Sequence, residues 1–183
     1  MSAEEHAELV ALLRTHSFRR GEFTLASGRQ SPYYVDARPT TMSARGLTLV
    51  GGLGLGAMRA AGWQPALVGG LTLGADPVAY AIAAASDRDP PVIDGFTVRK
   101  EAKDHGTGRR IEGPFRAGAT VVVVEDVITT GGSALRAVEA VQAAGGLVLG
   151  VLAVVDREEG GREVLTTAGY PVAALVRMRE LTD

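Results

Sequence analysis

The stretch VVVVEDVITTGGS, residues 121–133, decides how this chain folds. Its four consecutive valines predict a strand over 120–124 that is buried on both faces, as the strands of parallel sheets are. Glu125 and Asp126 stand at the predicted end of that strand, and a helix is predicted over 133–144. Strand, polar turn and helix form the unit of α/β folds, in which ligands bind beyond the carboxyl ends of the strands.

The rest of the chain repeats this alternation. Apolar runs predict further strands at 66–68, 92–98, 148–155 and 173–176, and helices at 43–61, 76–86 and 161–167. We therefore expect an α/β fold with a mostly parallel, doubly wound sheet flanked by helices. The whole chain, 1–183, is expected to be one domain, in which residues 1–42 form an N-terminal helix and a small hood over one sheet edge.

Composition excludes several classes of protein. The 183 residues carry a formal net charge of −2, which argues against a protein that binds nucleic acid through bulk charge. With no cysteine and only three histidines, neither disulfides nor a Cys/His metal cluster is expected. No apolar run reaches the roughly 18 residues of a membrane span, and the acidic start does not resemble a secretory signal, so we expect a cytoplasmic protein without membrane contact.

The polar half of the deciding stretch suits a phosphorylated sugar. Backbone N–H groups and hydroxyls of Thr129, Thr130, Gly131, Gly132 and Ser133 would converge on a phosphate at the N-terminus of the following helix. The two adjacent carboxylates would accept hydrogen bonds from a diol such as ribose. The alternative is an ordinary strand–turn–helix with Ser133 as the helix cap. The stretch has neither the Gly-Lys-Ser/Thr of a P-loop nor a dinucleotide fingerprint.

A second polar stretch lies between two predicted strands. From Arg99 to Glu112 it contains five basic residues against three acids and no hydrophobic face, so it predicts an exposed loop. A solvated run of charges is the simple explanation. Cations on a closing loop would also stabilise the charge that builds up on a departing diphosphate.

Residues 121–133 resemble the phosphoribosyl-diphosphate (PRPP) motif of type I phosphoribosyltransferases: a hydrophobic strand, two acids, two apolar residues, then Thr-x-Gly-x-Ser/Thr. The resemblance implies that Glu125 and Asp126 hold the ribose hydroxyls and that Thr129–Ser133 cradle the 5-phosphate. Val127 and Ile128, the two apolar residues, complete the motif. Asp126 is also a candidate catalytic base, a role that the residues alone leave open.

Residues 99–106, R-K-E-A-K-D-H-G, match the catalytic loop of orotate phosphoribosyltransferases, and residues 23–36 resemble that family's hood signature F-T-L-x-S-G-x-x-S-x-Y. This resemblance implies that Lys103 is the main catalytic side chain and that Arg99, Lys100 and His105 contact the diphosphate. In the family the loop closes over the neighbouring subunit's site, which implies a homodimer with shared active sites.

The same resemblance assigns the second substrate. Arg157, at the end of a predicted strand, would bind the orotate carboxylate, for which a guanidinium fork is suited, and Thr129 would share the pyrimidine contact. The implied reaction transfers the 5-phosphoribosyl group from PRPP to N1 of orotate, giving orotidine 5-monophosphate and diphosphate in pyrimidine biosynthesis. Mg²⁺ is expected as a chelate of PRPP, held mainly by substrate oxygens, with no dedicated protein metal site.

Two departures from the family pattern and two rival functions stay open. Ala26 stands where many members carry a lysine, and the expected diphosphate loop, residues 70–77, also lacks one. Backbone N–H groups would then bind diphosphate there with less help from charge. The rivals are a phosphoribosyltransferase for another base and a PRPP-sensing regulator without catalytic activity.

Overall fold

A six-stranded sheet forms the centre of the computed structural model, which describes residues 2–24, 30–101 and 110–183. The strands are β1 (Phe18–Thr24), β2 (Gln30–Val35), β3 (Leu67–Leu71), β4 (Asp94–Val98), β5 (Ile111–Glu112), β6 (Thr120–Ile128), β7 (Leu147–Asp156) and β8 (Val172–Arg177). The helices are α1 (Ala3–His16), α2 (Arg38–Thr41), α3 (Ala44–Ala60), α4 (Ala75–Arg88), α5 (Gly132–Ala143), α6 (Gly161–Thr167) and α7 (Met178–Thr182).

The order of strands in the central sheet is β5-β4-β3-β6-β7-β8. All neighbouring strands run parallel except β4 and β5, which are antiparallel. Helices cover both faces, with one apolar cluster on each side of the sheet. The predicted α/β fold with a mostly parallel sheet is confirmed, while the short elements α2, β5 and α7 had no sequence signal.

Strand β3 continues through two glycines that the sequence pattern placed beyond its end. A Cβ on Gly69 would lie 2.6 Å from the ring of Phe96, and one on Gly70 would lie 2.7 Å from the Cβ of Ala75. The absence of side chains therefore lets neighbouring elements approach β3 closely. The strand ends at Leu71, which places the following loop, residues 72–74, at the carboxyl edge of the sheet.

Strand β6 is also longer than its valine run predicted. It extends to Ile128 because it stays paired with β7, with Val127 opposite Val155 and Ile128 opposite Asp156. Glu125 and Asp126 therefore lie near the carboxyl end of a paired strand and not in the loop after it. Their backbone is fixed by the sheet, which suits residues that must hold a ligand in one geometry.

The N-terminal segment packs against the main sheet layer through α1 and adds the hairpin β1–β2. Leu9 and Leu13 of α1 are fully buried in the apolar cluster that also holds α3. The Nε2 of His6 lies 3.0 Å from the carbonyl of Leu175 in β8. Strands β1 and β2, which fall in the segment for which a hood is predicted, pair antiparallel. None of the described helices is long and apolar enough to cross a membrane.

Candidate active site

An open cavity of about 340 Å³ lies at the carboxyl ends of β3 and β6. Three segments enclose it: the end of β2 with the turn after it, the loop over residues 71–74, and residues 125–129 at the end of β6. Lys100, Ser133 and Arg136 complete the lining. The site lies where parallel α/β sheets bind ligands.

The two adjacent carboxyls form the floor of this cavity. Glu125 is 7% exposed, and its Oε2 is buried without a hydrogen-bond partner among the described residues. Burial raises the pKa of Glu125 well above its usual value, and the negative charge of Asp126 raises it further. Burial also raises the pKa of Asp126, although the backbone N–H of Val127, 2.9 Å from Oδ1, opposes that rise. In the free site Glu125 therefore holds a proton more readily than an exposed glutamate does.

Beside the carboxyls, the N-terminus of α5 opens onto a small hollow of about 90 Å³ formed by Glu125 and residues 127–134. Its N-cap is Gly131, with φ of 82° and no side-chain cap, so Ser133 is not the capping residue. A Cβ on Gly131 would lie 2.9 Å from the carbonyl oxygen of Gly161, and the positive φ also favours glycine. Uncapped N–H groups around a hollow of this size are suited to an anion.

The cavity also contains cations that sequence reasoning did not single out. Arg38 donates from Nε and Nη2 to the two oxygens of Asp36, each at 2.8 Å. This pairing lowers the pKa of Asp36, so its carboxylate stays ionised. Arg136, in the first turns of α5, donates to Ser133 Oγ at 3.1 Å. The sequence could have indicated Arg136 through its position three residues after Ser133, which places both residues on one helix face.

The loop between β3 and α4 is held by a chain of side-chain hydrogen bonds. Thr72 donates to Asp76 Oδ2 and Thr97 donates to Asp76 Oδ1, both at 2.7 Å. The hydroxyl of Tyr80 lies 2.6 Å from that of Thr97. Asp76 thus ties the diphosphate loop predicted over residues 70–77 to the end of β4, from which the basic segment leaves the sheet. The sequence pattern gave no sign of this link.

Arg157 follows β7 and lies under the hood, where it is 6% exposed. Its Nη2 lies 3.1 Å from Ser31 Oγ and 3.3 Å from the carbonyl oxygen of Tyr33, both in β2. The same nitrogen forms an ion pair with Glu159 Oε1 at 2.6 Å. The predicted carboxylate-binding arginine is therefore buried and already paired, which its sequence position could not show.

The structure brings together most of the predicted site residues. Glu125, Asp126, Val127, Thr129, Ser133 and Lys100 line the larger cavity, and Ile128, Thr130, Gly131 and Gly132 line the hollow next to it. Arg99 and Arg157 line neither of these two spaces. The Nη1 of Arg99 lies 3.7 Å from Glu112 Oε1. Lys103, His105 and Ala26 lie outside the described residues. Within the described ranges, no three Asp, Glu or His side chains form a cluster that could hold a metal.

Comparison with known proteins identifies the family. A profile of the phosphoribosyl transferase domain matches residues 55–168. The orotate phosphoribosyltransferase of Mycobacterium avium is 49% identical over 183 residues, covering 99% of this chain and 98% of the relative. That of Rhodopirellula baltica is 47% identical over 178 residues, covering 95% and 92%.

A solved structure shares the fold as well as the sequence. The orotate phosphoribosyltransferase of Mycobacterium tuberculosis in complex with PRPP superposes with a TM-score of 0.83 at 44% identity, covering 98% of this chain and 99% of that one. Relatives this similar match over nearly the full length of both chains. The protein therefore belongs to the orotate phosphoribosyltransferase family of type I phosphoribosyltransferases.

Proposed function

We propose that this protein transfers the 5-phosphoribosyl group of PRPP to N1 of orotate, forming orotidine 5-monophosphate and diphosphate for pyrimidine biosynthesis. One observation carries the proposal: the carboxyls of Glu125 and Asp126 lie between an open cavity and the hollow at the N-terminus of α5. A ribose with its hydroxyls on the carboxyls would place its 5-phosphate in the hollow and C1 in the cavity. The cytoplasmic location stays a prediction.

Each part of PRPP has a matching group in this arrangement. The ribose diol would donate to Glu125 and Asp126, and the 5-phosphate would accept from the backbone and hydroxyls of residues 129–133. Hydrogen bonds in which the donor or the acceptor is ionised are about twice as strong as those between neutral groups. The diphosphate would lie against residues 72–74 and Lys100, which line the same cavity. The described lining supplies positive charge through Lys100, Arg38 and Arg136, since the loop itself contains no lysine.

The reaction breaks the bond between C1 and the diphosphate oxygen, and the electron pair leaves with diphosphate. The N1–C1 bond forms as orotate loses its N1 proton. Positive charge develops on the ribosyl ring and negative charge on the leaving group, so catalysis would come mainly from positioning and electrostatic stabilisation. Lys103, with Arg99, Lys100 and His105, is the proposed set of cations for diphosphate. Asp126 is the candidate acceptor of the N1 proton, since burial raises its pKa.

Mg²⁺ would enter with PRPP as a chelate of its diphosphate and hydroxyl oxygens. The described residues fit this role, because Mg²⁺ at such sites is held mostly by substrate oxygens and water and no three-residue ligand cluster is needed. When bound, the ion would neutralise charge on the leaving group.

A homodimer with shared sites is the proposed assembly. Leu73 in the diphosphate loop and Tyr80 on α4 are large apolar side chains more than half exposed, at 54% and 52%. An interface over them would bring a neighbouring subunit to the edge of the cavity. The basic segment, residues 99–110, begins at this same edge, since Thr97 contacts Tyr80. Its closure over the neighbouring site is the part of the proposal that subunit mixing tests.

The test of the proposal is steady-state kinetics with orotate, PRPP and Mg²⁺, following the loss of orotate absorbance. Arg157→Ala should raise KM for orotate by roughly 30-fold or more, because truncating one partner of a buried charge pair costs about 2–5 kcal/mol. KM for PRPP should change less than about threefold. Arg179→Ala is the control, since Arg179 is exposed and lies 3.9 Å from its ion-pair partner Glu158.

Two outcomes would support the rival functions. Consumption of a purine or uracil in place of orotate would identify a phosphoribosyltransferase for another base. PRPP binding without turnover of any base would favour a PRPP-sensing regulator.

A further inference from the structure

Arg157 presents only half of its hydrogen-bonding fork to Glu159. Its Nη2 is 2.6 Å from Glu159 Oε1, whereas its Nε is buried and has no hydrogen-bond partner among the described residues. Two other arginines of this chain show the complete arrangement. Arg38 uses Nε and Nη2 together on Asp36, and Arg45 uses both on Glu8. The pairing of Arg157 with Glu159 is therefore incomplete by the standard of the same molecule.

The Nη2 atom of Arg157 is also crowded with acceptors. Ser31 Oγ, the Tyr33 carbonyl and Glu159 Oε1 lie within 3.3 Å of it, but it carries only two hydrogens. A further carboxylate cannot bind this nitrogen unless one acceptor leaves. Ser31 and the Tyr33 carbonyl are fixed by β2, and the hydroxyl of Ser31 itself donates to that carbonyl at 2.8 Å. Glu159 lies outside the strands and helices, so it is the acceptor that can move most easily.

The surroundings explain why the free protein keeps Glu159 in this place. Arg157 is 6% exposed, and an unpaired charge at such a depth is strongly unfavourable. The side chain of Glu159 is 18% exposed, so its carboxylate reaches solvent more easily than the guanidinium does. Glu159 thus neutralises Arg157 from its more solvent-exposed side.

We propose that Glu159 is a specificity-determining residue: its carboxylate occupies Arg157 in place of the substrate carboxylate, and only a ligand that brings its own carboxylate displaces it. This inference rests on the proposed function. An incoming planar carboxylate would use Nε and Nη2 together and satisfy the buried Nε that Glu159 leaves without a partner. A neutral base lacking a carboxylate would have to leave Arg157 unpaired or leave Glu159 in the way. Glu159 therefore lowers orotate affinity by the cost of its displacement, and it blocks uncharged bases by staying on Arg157.

The test compares Glu159→Gln with wild type by orotate calorimetry and steady-state kinetics. A neutral amide competes less well for the guanidinium, so Kd and KM for orotate should fall by about 3- to 10-fold, the effect of one net hydrogen bond. KM for PRPP should not change. Uracil, which has the same ring without the carboxylate, should change its affinity by less than twofold, because it does not displace the side chain at position 159. Glu158→Gln is the matched control, because Glu158 is the adjacent acidic residue and its ion pair is with Arg179 and not with Arg157.

Glu159→Asp provides a second variant if the amide impairs folding. It keeps the charge but is one methylene shorter, so it should also lower KM for orotate. Thermal unfolding without ligand verifies that each variant folds. A higher KM for orotate in both variants would show that Glu159 positions Arg157 and would overturn the proposal, as would an unchanged KM. If wild type does not consume orotate at all, the proposed function fails; if it does and the variants do not bind orotate more tightly, only this inference fails.

Discussion

Replacing Gly74 with alanine should damage the proposed ribose site without damaging the fold. Gly74 stands at the start of α4 with φ of −64° and ψ of −40°, a conformation that alanine adopts freely. A Cβ at this position would lie 2.6 Å from Cγ of Asp126 and 2.7 Å from its Oδ2. Ordinary contacts begin near 3.4 Å, so the carboxylate carbon must move by at least about 0.8 Å.

That displacement sets the size of the expected effect. A hydrogen bond of ordinary length that stretches by about 0.8 Å is lost. A bond to a charged group contributes about 1.5–3 kcal/mol, so losing one bond to the ribose should raise Kd for PRPP by roughly 10- to 150-fold. The free protein should lose little stability, because the Asp126 carboxylate borders an open cavity into which it can turn.

Calorimetric titration of PRPP in the presence of Mg²⁺, with thermal unfolding of the same samples, measures both quantities. Gly52→Ala is the matched control. Gly52 lies inside α3, and a Cβ there would meet nothing within 4 Å. That substitution should raise Tm, since alanine is favoured over glycine in helices by about 0.8–1.0 kcal/mol, and leave PRPP binding unchanged. A folded Gly74→Ala protein whose Kd for PRPP stays within twofold of wild type would refute the placement of Asp126 in the ribose site.

Three further predictions concern the buried carboxyl, the diphosphate loop and the assembly. Burial raises the pKa of Glu125, so the folded state holds that proton to higher pH than the unfolded chain and loses stability as pH rises above about 4.5. The Tm of Glu125→Gln minus that of wild type should therefore increase with pH. A difference in Tm that stays constant with pH would contradict this. Asp76→Ala should raise KM for PRPP several-fold with KM for orotate unchanged, because two threonine hydroxyls lose their acceptor; an unchanged KM for PRPP would separate that network from the diphosphate site. The proposed homodimer predicts that Lys103→Ala and Asp126→Asn variants, each inactive alone, recover about a quarter of wild-type activity after random subunit exchange. Exchange verified by mass spectrometry without recovery would mean that the loop serves its own subunit.

The architecture was predictable from the sequence because hydrophobic runs and glycine positions carry it. The valines before Glu125 predicted a buried strand, and the Thr-Thr-Gly-Gly-Ser turn predicted where the following helix begins. The ends of strands were not predictable, since they depend on partners. Strand β6 continues to Ile128 only because β7 runs beside it. Gly70 lies inside β3, where its lack of a side chain allows neighbouring elements to approach closely.

The site was predictable as a set of residues but not as a set of contacts. Adjacent acids and a basic segment signalled their chemistry by type and spacing. Glu159 gave no such signal, and the signature that contains Ser31 did not show its contact with Arg157, which lies 126 positions away in sequence. The hydrogen bonds of Asp76 to two separate elements likewise exist only in the folded chain. Local pattern thus indicates which residues carry chemistry, and packing determines which of them are already paired.

A competition among nucleobases tests the central claim most directly. Wild-type protein would be incubated with limiting PRPP, Mg²⁺ and equal concentrations of orotate, uracil, adenine, guanine and hypoxanthine, and the nucleotides formed would be separated and identified by mass spectrometry. We predict orotidine 5-monophosphate as the only nucleotide, with one diphosphate released for each orotate consumed. Formation of any other nucleotide in comparable amount, or consumption of PRPP while orotate stays intact, would contradict the account.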